Sequence, residues 1–247
     1  MRRTTTLALV AGGAMAAVAG AALARGRLAG RGPEAMPPDE DPQYTLFAPG
    51  GQQGFWFNGP VGRVFAKFQP ISHASVYDVV AEMLDMQPED ELLDIGCGPG
   101  AFLATKALHV RRVAGLDVSP VMLDEAERRL ADRIAAGTAR LVLGSSSALP
   151  FDDGEFSAVT VITAPVNLAE VYRVLRPGGR FVIVDELILD PRKPSTERSA
   201  GPPCNWNEAD TRRVIEDAGF ADLTVRYKEV WHIADNRIVC CRKPAVS

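Results

Sequence analysis

The stretch that decides the fold is ELLDIGCGPG at residues 91–100, in which a short apolar run leads directly into a glycine-rich turn. Apolar runs of this length are typical of strands buried in a parallel sheet. Glycine adopts positive φ and lets a ligand approach the backbone, so Gly96, Gly98 and Gly100 favour a binding turn. A helix directly after the turn begins with a partial positive charge. The stretch therefore predicts a strand, a ligand-binding turn and a helix in succession.

Strands and helices alternate outward from this turn. The predicted strands are Glu91–Ile95, Arg112–Asp117, Ala139–Leu143, Ser157–Ile162 and Arg180–Asp185, followed by a hairpin of Leu223–Trp231 and Arg237–Arg242. The predicted helices are Val76–Leu84, Ala101–Leu108, one capped by Ser119 that ends near Gly137, Val166–Leu175, and one from Asn207 to Ala218. Such alternation favours an α/β fold with a doubly wound sheet, mostly parallel, with an antiparallel last strand. Ligands of such sheets bind at the carboxyl ends of the strands.

The composition is that of a globular protein, with 47% of the 247 residues hydrophobic and 23% charged. The net charge is −4, but the first 31 residues hold five arginines and no acid, which leaves 22 basic against 31 acidic residues, or −9, elsewhere. An acidic domain argues against nucleic acid as a partner, because phosphate backbones bind to basic surfaces. The cysteines at positions 97, 204, 240 and 241 form no CxxC pair, so neither a metal site nor a disulfide framework is predicted.

Leu7–Ala24 is an uncharged segment of 18 residues, flanked by arginines, in which twelve residues are Ala or Gly. As a helix it would span about 27 Å, close to the thickness of a bilayer core of about 30 Å. Three interpretations remain open: a membrane anchor, a signal peptide cleaved after Ala22-Leu23-Ala24, and a soluble extension. The predicted organisation is therefore 1–32, an anchor or signal segment; 33–70, a linker and aromatic-rich cap; and 71–247, the α/β domain.

Side chains suited to a nucleoside ligand follow successive strands. Asp117, 21 residues after Gly96, can accept hydrogen bonds from both hydroxyls of a ribose. Val118 and Met122 can flank an adenine ring, and Asp94 suits an ammonium group. Small polar groups follow the third and fourth strands at Ser145, Ser146 and Thr163. The glycine turn and the later acid also fit a dinucleotide fingerprint, so these residues leave a nicotinamide cofactor open.

Five segments together resemble the motifs of one family. They are residues 91–100 (ELLDIGCGPG), 115–123 (GLDVSPVML), 148–156 (ALPFDDGEF), 173–181 (RVLRPGGRF) and 216–220 (EDAGF). In this order they are similar to motifs of the class I S-adenosylmethionine-dependent methyltransferases, closest to the small-molecule subgroup called type 11, over about Gln87–Pro244. The resemblance implies a Rossmann-like sheet, S-adenosylmethionine as cofactor, and a methyltransferase domain at 71–247. If the protein were an NAD-dependent oxidoreductase, the segments 173–181 and 216–220 would have no explanation.

The resemblance also implies roles for single residues. Gly96 and Gly98 would approach the methionine part of the cofactor, Asp94 its amino group and Asp117 its ribose. Cys97 lies in the same turn, where its side chain is expected to pack beneath the backbone. The cofactor-binding set expected from the resemblance and the strand ends is Asp94, Gly96, Cys97, Gly98, Asp117, Val118, Met122, Ser145, Ser146 and Thr163.

Two features depart from the family's pattern. Ser145 stands where the family usually has Asp, so a hydroxyl replaces the charged acceptor for the adenine amino group. The loop after the fourth strand is shortened to Thr163-Ala164-Pro165, and this loop often borders the substrate in the family. A non-catalytic S-adenosylmethionine-binding protein is therefore the alternative to an enzyme.

The predicted reaction is methyl transfer to a small-molecule acceptor, apolar or aromatic, by in-line displacement. The sulfonium is already activated, so the protein has mainly to align the reactants and exclude water. A general base is needed only for a protonated acceptor, and His73 and Glu186 are the candidates. Because the cofactor is expected in the cytoplasm, the predicted location is a membrane anchor facing the cytoplasm, or otherwise the cytoplasm. The acceptor, the methylated atom and the oligomeric state are not predicted.

Overall fold

One mixed sheet organises the chain in the computed structural model, which describes residues 57–184, 187–188, 208–230 and 234–245. The helices of these residues are α1 (Gly59–Leu84), α2 (Ala101–Thr105), α3 (Pro120–Ala135), α4 (Leu168–Val174) and α5 (Glu208–Asp217). The strands are β1 (Glu91–Ile95), β2 (Arg112–Asp117), β3 (Ala139–Leu143), β4 (Phe156–Ile162), β5 (Pro165–Val166), β6 (Leu175–Val184), β7 (Leu187–Ile188), β8 (Ala221–Val230) and β9 (Ala234–Arg242).

The seven-stranded sheet has the order β3-β2-β1-β4-β6-β9-β8. Strands β3, β2, β1, β4 and β6 run parallel, whereas β9 lies antiparallel between β6 and β8. The order reverses at β1, since β2 lies on one side of it and β4 on the other. Helices cover both faces of the sheet, so the predicted α/β class with a mostly parallel sheet and an antiparallel last strand is confirmed. The switch point lies beside the glycine-rich turn, where such sheets bind ligands.

The apolar core is divided by the sheet into two layers. Leu93 and Ile95 of β1 belong to the layer that includes residues of α4 and α5, while Leu92 belongs to the layer of α1, α2 and α3. This alternation follows from the two-residue period of a strand. Phe181 and Phe102, one in each layer, are almost entirely inaccessible to solvent.

Helix α1 begins at Gly59, whereas the sequence predicted a helix only from Val76 and a cap ending at residue 70. The helix continues through Pro70, which lacks the N–H that would normally bond to the Ala66 carbonyl four residues earlier. The Arg129 guanidinium of α3 donates to that carbonyl at 2.9 Å. A side chain distant in sequence thus satisfies the acceptor that the proline leaves open, and this is why the prediction of the helix start was wrong.

Two other boundaries differ from the prediction. The predicted helix Ala101–Leu108 ends at Thr105, and β6 begins at Leu175 although Pro177-Gly178-Gly179 was expected to separate helix from strand. The Gly178 N–H donates to the Lys243 carbonyl at 2.8 Å, and the Lys243 N–H donates to Gly179 at 3.0 Å. Pairing with a distant segment therefore keeps this turn-like sequence in the sheet.

Several predictions lie outside the described residues. These are the segment Leu7–Ala24, most of the proposed cap, the helix cap Asn207 and the candidate base Glu186. Within the part of the chain that the structure describes, no helix combines the length and hydrophobicity that crossing a bilayer requires.

A buried ionic cluster fixes the amino end of β1, away from the switch point. The Asp90 carboxylate is paired with the Arg180 guanidinium, and both side chains are largely buried. Its oxygens also accept hydrogen bonds from the Ser157 hydroxyl and the Gln87 N–H, each at 2.7 Å. Because every partner lies in a different segment, this cluster holds the amino ends of β1 and β4 to the middle of β6.

Candidate functional site

The glycine-rich turn after β1 has left-handed glycines at every second position, with φ +69° for Gly96, +52° for Gly98 and +70° for Gly100. A Cβ at position 96 would lie 2.3 Å from the Cβ of Ala164, so the backbone here packs against the loop after β4. A Cβ at position 98 would meet nothing within 4 Å. Glycine is therefore required at the two positions for different reasons. Gly96 permits close packing against Ala164, and Gly98 leaves open space beside the backbone.

Asp117, at the end of β2, ties this turn to the neighbouring strand. Its Oδ2 accepts a hydrogen bond from the Gly98 N–H at 2.8 Å, and its Oδ1 accepts one from the Ser119 N–H at 2.8 Å. Burial raises the pKa of the Asp117 carboxyl to about 6, although these backbone hydrogen bonds lower it. The Val118 N–H also hydrogen-bonds to this carboxyl. A carboxylate has about four acceptor positions, so these three donors, among the described residues, leave room for a ligand.

Asp94, near the end of β1, adds a second buried carboxyl to the same region. Its side chain is almost inaccessible to solvent. Burial, and secondly the charge of Asp117, raise the pKa of Asp94 well above its ordinary value. A cationic ligand bound here would relieve the repulsion and favour ionisation of both carboxyls.

Cys97, Val118 and Met122 form the apolar support of the turn. All three are buried, with at most 6% of their surface exposed. The Cys97 sulfur faces Gly115 of β2, since a Cβ at that position would lie 2.8 Å from Sγ. Burial, followed by the charges of Asp117 and Asp94, raises the pKa of the Cys97 thiol well above its ordinary value. Cys97 therefore packs beneath the turn as a neutral thiol.

Ser145 and Ser146, after β3, lie at the same edge of the sheet. The Ser146 hydroxyl is buried and donates to the Pro165 carbonyl at 2.6 Å, which joins the loop after β3 to β5. Ser145 contacts Ser147, accepting a hydrogen bond from its N–H at 3.1 Å. Thr163 turns the chain after β4 at φ +55°, and its hydroxyl donates to the Ile162 carbonyl. This turn places the neighbouring Ala164 against Gly96.

His73 lies in α1 and is 8% exposed. Its Nδ1 lies 2.8 Å from the Ser72 hydroxyl and 3.2 Å from the Gln69 carbonyl oxygen. Burial lowers the pKa of the imidazole, and the Gln69 carbonyl partly opposes this. The ring is thus held neutral near physiological pH.

Sequence reasoning missed Tyr77 and Gln69, which face the same side of α1 as His73. The Gln69 amide donates to the Tyr77 hydroxyl at 2.6 Å, and Tyr77 is 4% exposed. Burial, and secondly the charge of Asp94, raise the pKa of Tyr77, so its phenol stays protonated beside the site. Their spacing of i, i+4 and i+8 was a signal, but it required α1 to extend upstream of Val76.

The two residues that precede α1 also reach the site. The Ser119 hydroxyl lies 2.8 Å from both the Phe57 carbonyl oxygen and the Asn58 side-chain oxygen. The same hydroxyl caps α3 by accepting from the Met122 N–H, as the sequence predicted. The start of α1 is thereby fixed beside Asp117.

These residues fit an adenosylmethionine cofactor on structural grounds. The region combines open space at Gly98 with two buried carboxyls, Asp117 and Asp94. A ribose, a sulfonium and an ammonium group would meet acceptors of the required charge. In the described residues, no group of three or more His, Cys, Asp or Glu side chains could hold a metal ion.

The sequence matches known methyltransferases. A family model described as a methyltransferase domain matches residues 92–179. The chain is 38% identical over 109 residues to demethylmenaquinone methyltransferase of Symbiobacterium thermophilum, covering 40% of this chain and 43% of that protein. It is 30% identical over 177 residues to the O-methyltransferase resE of Aspergillus sclerotiorum, covering 65% of this chain and 64% of that protein. The chain thus spans about half the length of these relatives.

The fold matches as well. The structure aligns with geranyl diphosphate C-methyltransferase from Streptomyces coelicolor at a TM-score of 0.54 and 20% identity, over 69% of this chain and 79% of that one. That protein was solved with S-adenosyl-L-homocysteine bound. The five ordered motifs, the strand order and these matches agree, and S-adenosylmethionine is the cofactor they indicate. Residues 92–179 thus match a methyltransferase domain, and the chain is similar in sequence and in fold to the class I S-adenosylmethionine-dependent methyltransferases.

Proposed function

We propose that this protein transfers the methyl group of S-adenosylmethionine to a small apolar or aromatic acceptor. The observation that carries the proposal is the convergence of the Gly98 turn, Asp94 and Asp117 at the switch point of the sheet. An arrangement of open backbone and two buried carboxyls suits a ligand that has a ribose and a positive charge.

We assign the binding roles from the positions of the side chains. Asp117 accepts hydrogen bonds from the ribose hydroxyls in addition to those that it accepts from backbone N–H groups of the turn and of Ser119. Asp94 binds the ammonium group, directly or through water. Val118, just before α3, and Met122, in its first turn, support the adenine ring. The uncharged Ser145 hydroxyl accepts a hydrogen bond from the adenine amino group.

The bound cofactor supplies a methyl group on a sulfonium, which is already activated for displacement. The residues of this chain then have to align the acceptor and exclude water. Where the acceptor carries a proton, His73 is the described candidate base, since its neutral ring can take up a proton. Glu186 is the second candidate.

The relatives support a small-molecule acceptor. Their names include a demethylmenaquinone methyltransferase and a fungal O-methyltransferase, and a protein of the same fold is a geranyl diphosphate C-methyltransferase. Apolar acceptors of this kind fit an enzyme held at the cytoplasmic side of a membrane by Leu7–Ala24. We therefore include anchoring by that segment in the proposal.

The test is titration calorimetry of the full chain with S-adenosylmethionine, S-adenosylhomocysteine and NAD, followed by a radiolabelled methyl assay on phenols and quinols. Binding of the first two and labelling of an acceptor are expected. Binding of NAD alone would refute the proposal. Binding without labelling of any acceptor would favour a non-catalytic binding protein, the reading that Ser145 and the shortened loop after β4 support.

Anchoring is tested separately by deleting residues 1–32. Cofactor affinity should be unchanged, because the described site lies entirely after residue 56, while activity on acceptor embedded in vesicles should fall. Equal activity of the two forms on vesicle-borne acceptor would remove the anchor from the proposal.

A further inference from the structure

Helix α1 exposes an apolar stripe on the side that faces away from the core. Val64, Phe68 and Ile71 are 56%, 43% and 69% exposed. At 100° per residue these three positions lie within about 60° of one another. The buried positions of the same helix, including Ala66, lie on roughly the opposite side. The helix therefore has two apolar sides, and only one of them is covered by the described core.

Basic side chains flank this stripe. Arg63 and Lys67 are exposed and lie one helical turn apart beside it. Residues 57–77 contain no acidic residue, although the whole chain has a net charge of −4. The first acid along the helix, Asp78, is paired with Lys106. The outer side of the first half of α1 is thus apolar and basic on an otherwise acidic protein.

We propose that this surface, Arg63, Val64, Lys67, Phe68 and Ile71, docks the protein on an anionic lipid bilayer. An interfacial helix inserts its apolar side chains at the boundary of the headgroups and acyl chains, while Lys and Arg beside them meet anionic headgroups. This surface is separate from the proposed anchor Leu7–Ala24, because it lies on a helix whose other side packs in the domain core.

A bilayer suits this surface better than a protein partner does. Three apolar side chains on a convex helix provide only a small part of the roughly 800 Å² per partner that a stable protein interface buries. A bilayer requires no shape complementarity. Because the Ser119 hydroxyl fixes the start of α1 beside Asp117, docking through this side would bring the edge of the site toward the lipid.

The experiment uses the chain without residues 1–32, so that the proposed anchor Leu7–Ala24 does not hold every variant on the vesicles. It compares the variants by sedimentation with vesicles of phosphatidylcholine alone or mixed with phosphatidylglycerol. Ile71→Glu is the test variant, and Leu108→Glu is the matched control, because Leu108 is 67% exposed in the loop between α2 and β2. Both variants exchange one exposed apolar side chain for one negative charge. Cofactor affinity, measured by calorimetry on the same samples, should be unchanged in both and reports that they are folded.

The expected result is that Ile71→Glu lowers partitioning onto mixed vesicles by about tenfold or more, since an inserted apolar side chain is lost. Leu108→Glu should stay within about twofold of the parent protein, and salt should weaken binding of the parent. Equal partitioning of the two variants, or equal binding to both kinds of vesicle, would overturn the proposal. A dimer in sedimentation velocity that Ile71→Glu dissociates would overturn it too and assign the surface to a second copy of this chain.

Discussion

Asp117 should make cofactor affinity fall as the pH drops below about 6. Burial of its carboxyl raises the pKa to about 6, and the hydroxyls of a ribose would donate to the ionised form. For one group with this pKa, the ionised fraction falls about tenfold between pH 7 and pH 5, and the association constant should fall by about the same factor.

The same carboxyl should make the unliganded protein less stable as the pH rises, whereas it makes cofactor binding stronger. Raising its pKa from the ordinary 3.8 to about 6 means that its ionisation costs the folded protein about 3 kcal/mol. The unfolded carboxyl ionises first as the pH rises, so the free energy of unfolding of the unliganded protein should decrease between about pH 4 and pH 6. Asp117→Asn removes this ionisation. It also places an amide NH₂ opposite a backbone N–H group that now donates to the carboxylate, which costs about 1–3 kcal/mol at every pH.

Calorimetry with S-adenosylhomocysteine at pH 7, 6 and 5 measures the effect on binding. Asp124→Asn is the matched control, because it is the same exchange at an exposed position of α3. The parent and this control should lose affinity about tenfold over the range, whereas Asp117→Asn should bind more weakly at pH 7 and show little further loss. If Asp117→Asn keeps the full pH dependence, or the parent shows none, the reasoning is refuted; in the first case Asp94 becomes the group responsible.

Further predictions concern the turn and the core. Gly96→Ala should lower the free energy of unfolding by more than about 2 kcal/mol in denaturant titration, and Ala164→Gly should recover part of that loss because it removes the colliding Cβ. Gly98→Val should abolish cofactor binding in calorimetry while costing about 1–2 kcal/mol of stability, since its side chain would enter open space. Asp90→Ala should cost about 3–5 kcal/mol by leaving the Arg180 guanidinium buried and unpaired, with cofactor affinity unchanged. Loss of affinity in Asp90→Ala, with stability retained, would contradict its structural role.

The strands near the switch point were predictable because each is a short apolar run between polar turns. Strands β1, β2 and β3 have the predicted bounds, and Ser119 caps α3 as expected. The start of α1 and the start of β6 were not predictable. In the first, Arg129 supplies a hydrogen bond to Ala66 that Pro70 cannot, and in the second, pairing with Lys243 holds a Pro-Gly-Gly segment in the sheet.

The candidate site was predictable only as a set of residues after successive strands. Whether a residue borders open space or supports its neighbours depended on packing. Gly98 borders open space, whereas the space beside Gly96 is occupied by the Ala164 side chain. The Ser146 hydroxyl already donates to the Pro165 carbonyl. Tyr77 was missed because nothing local in the sequence brings α1 beside Asp94.

The sequence by itself determined the order of the main strands and helices and the glycine turn, because these depend on local periodicity and on the conformations that single residues allow. Its ordered motifs also gave the resemblance to class I methyltransferases. Only the tertiary structure decided which acceptor positions on Asp117 remain available, why its pKa is raised and which side of α1 is left apolar and exposed. Burial, hydrogen-bond partners and charge neighbours are set by segments that are far apart in the chain, and no local pattern records them.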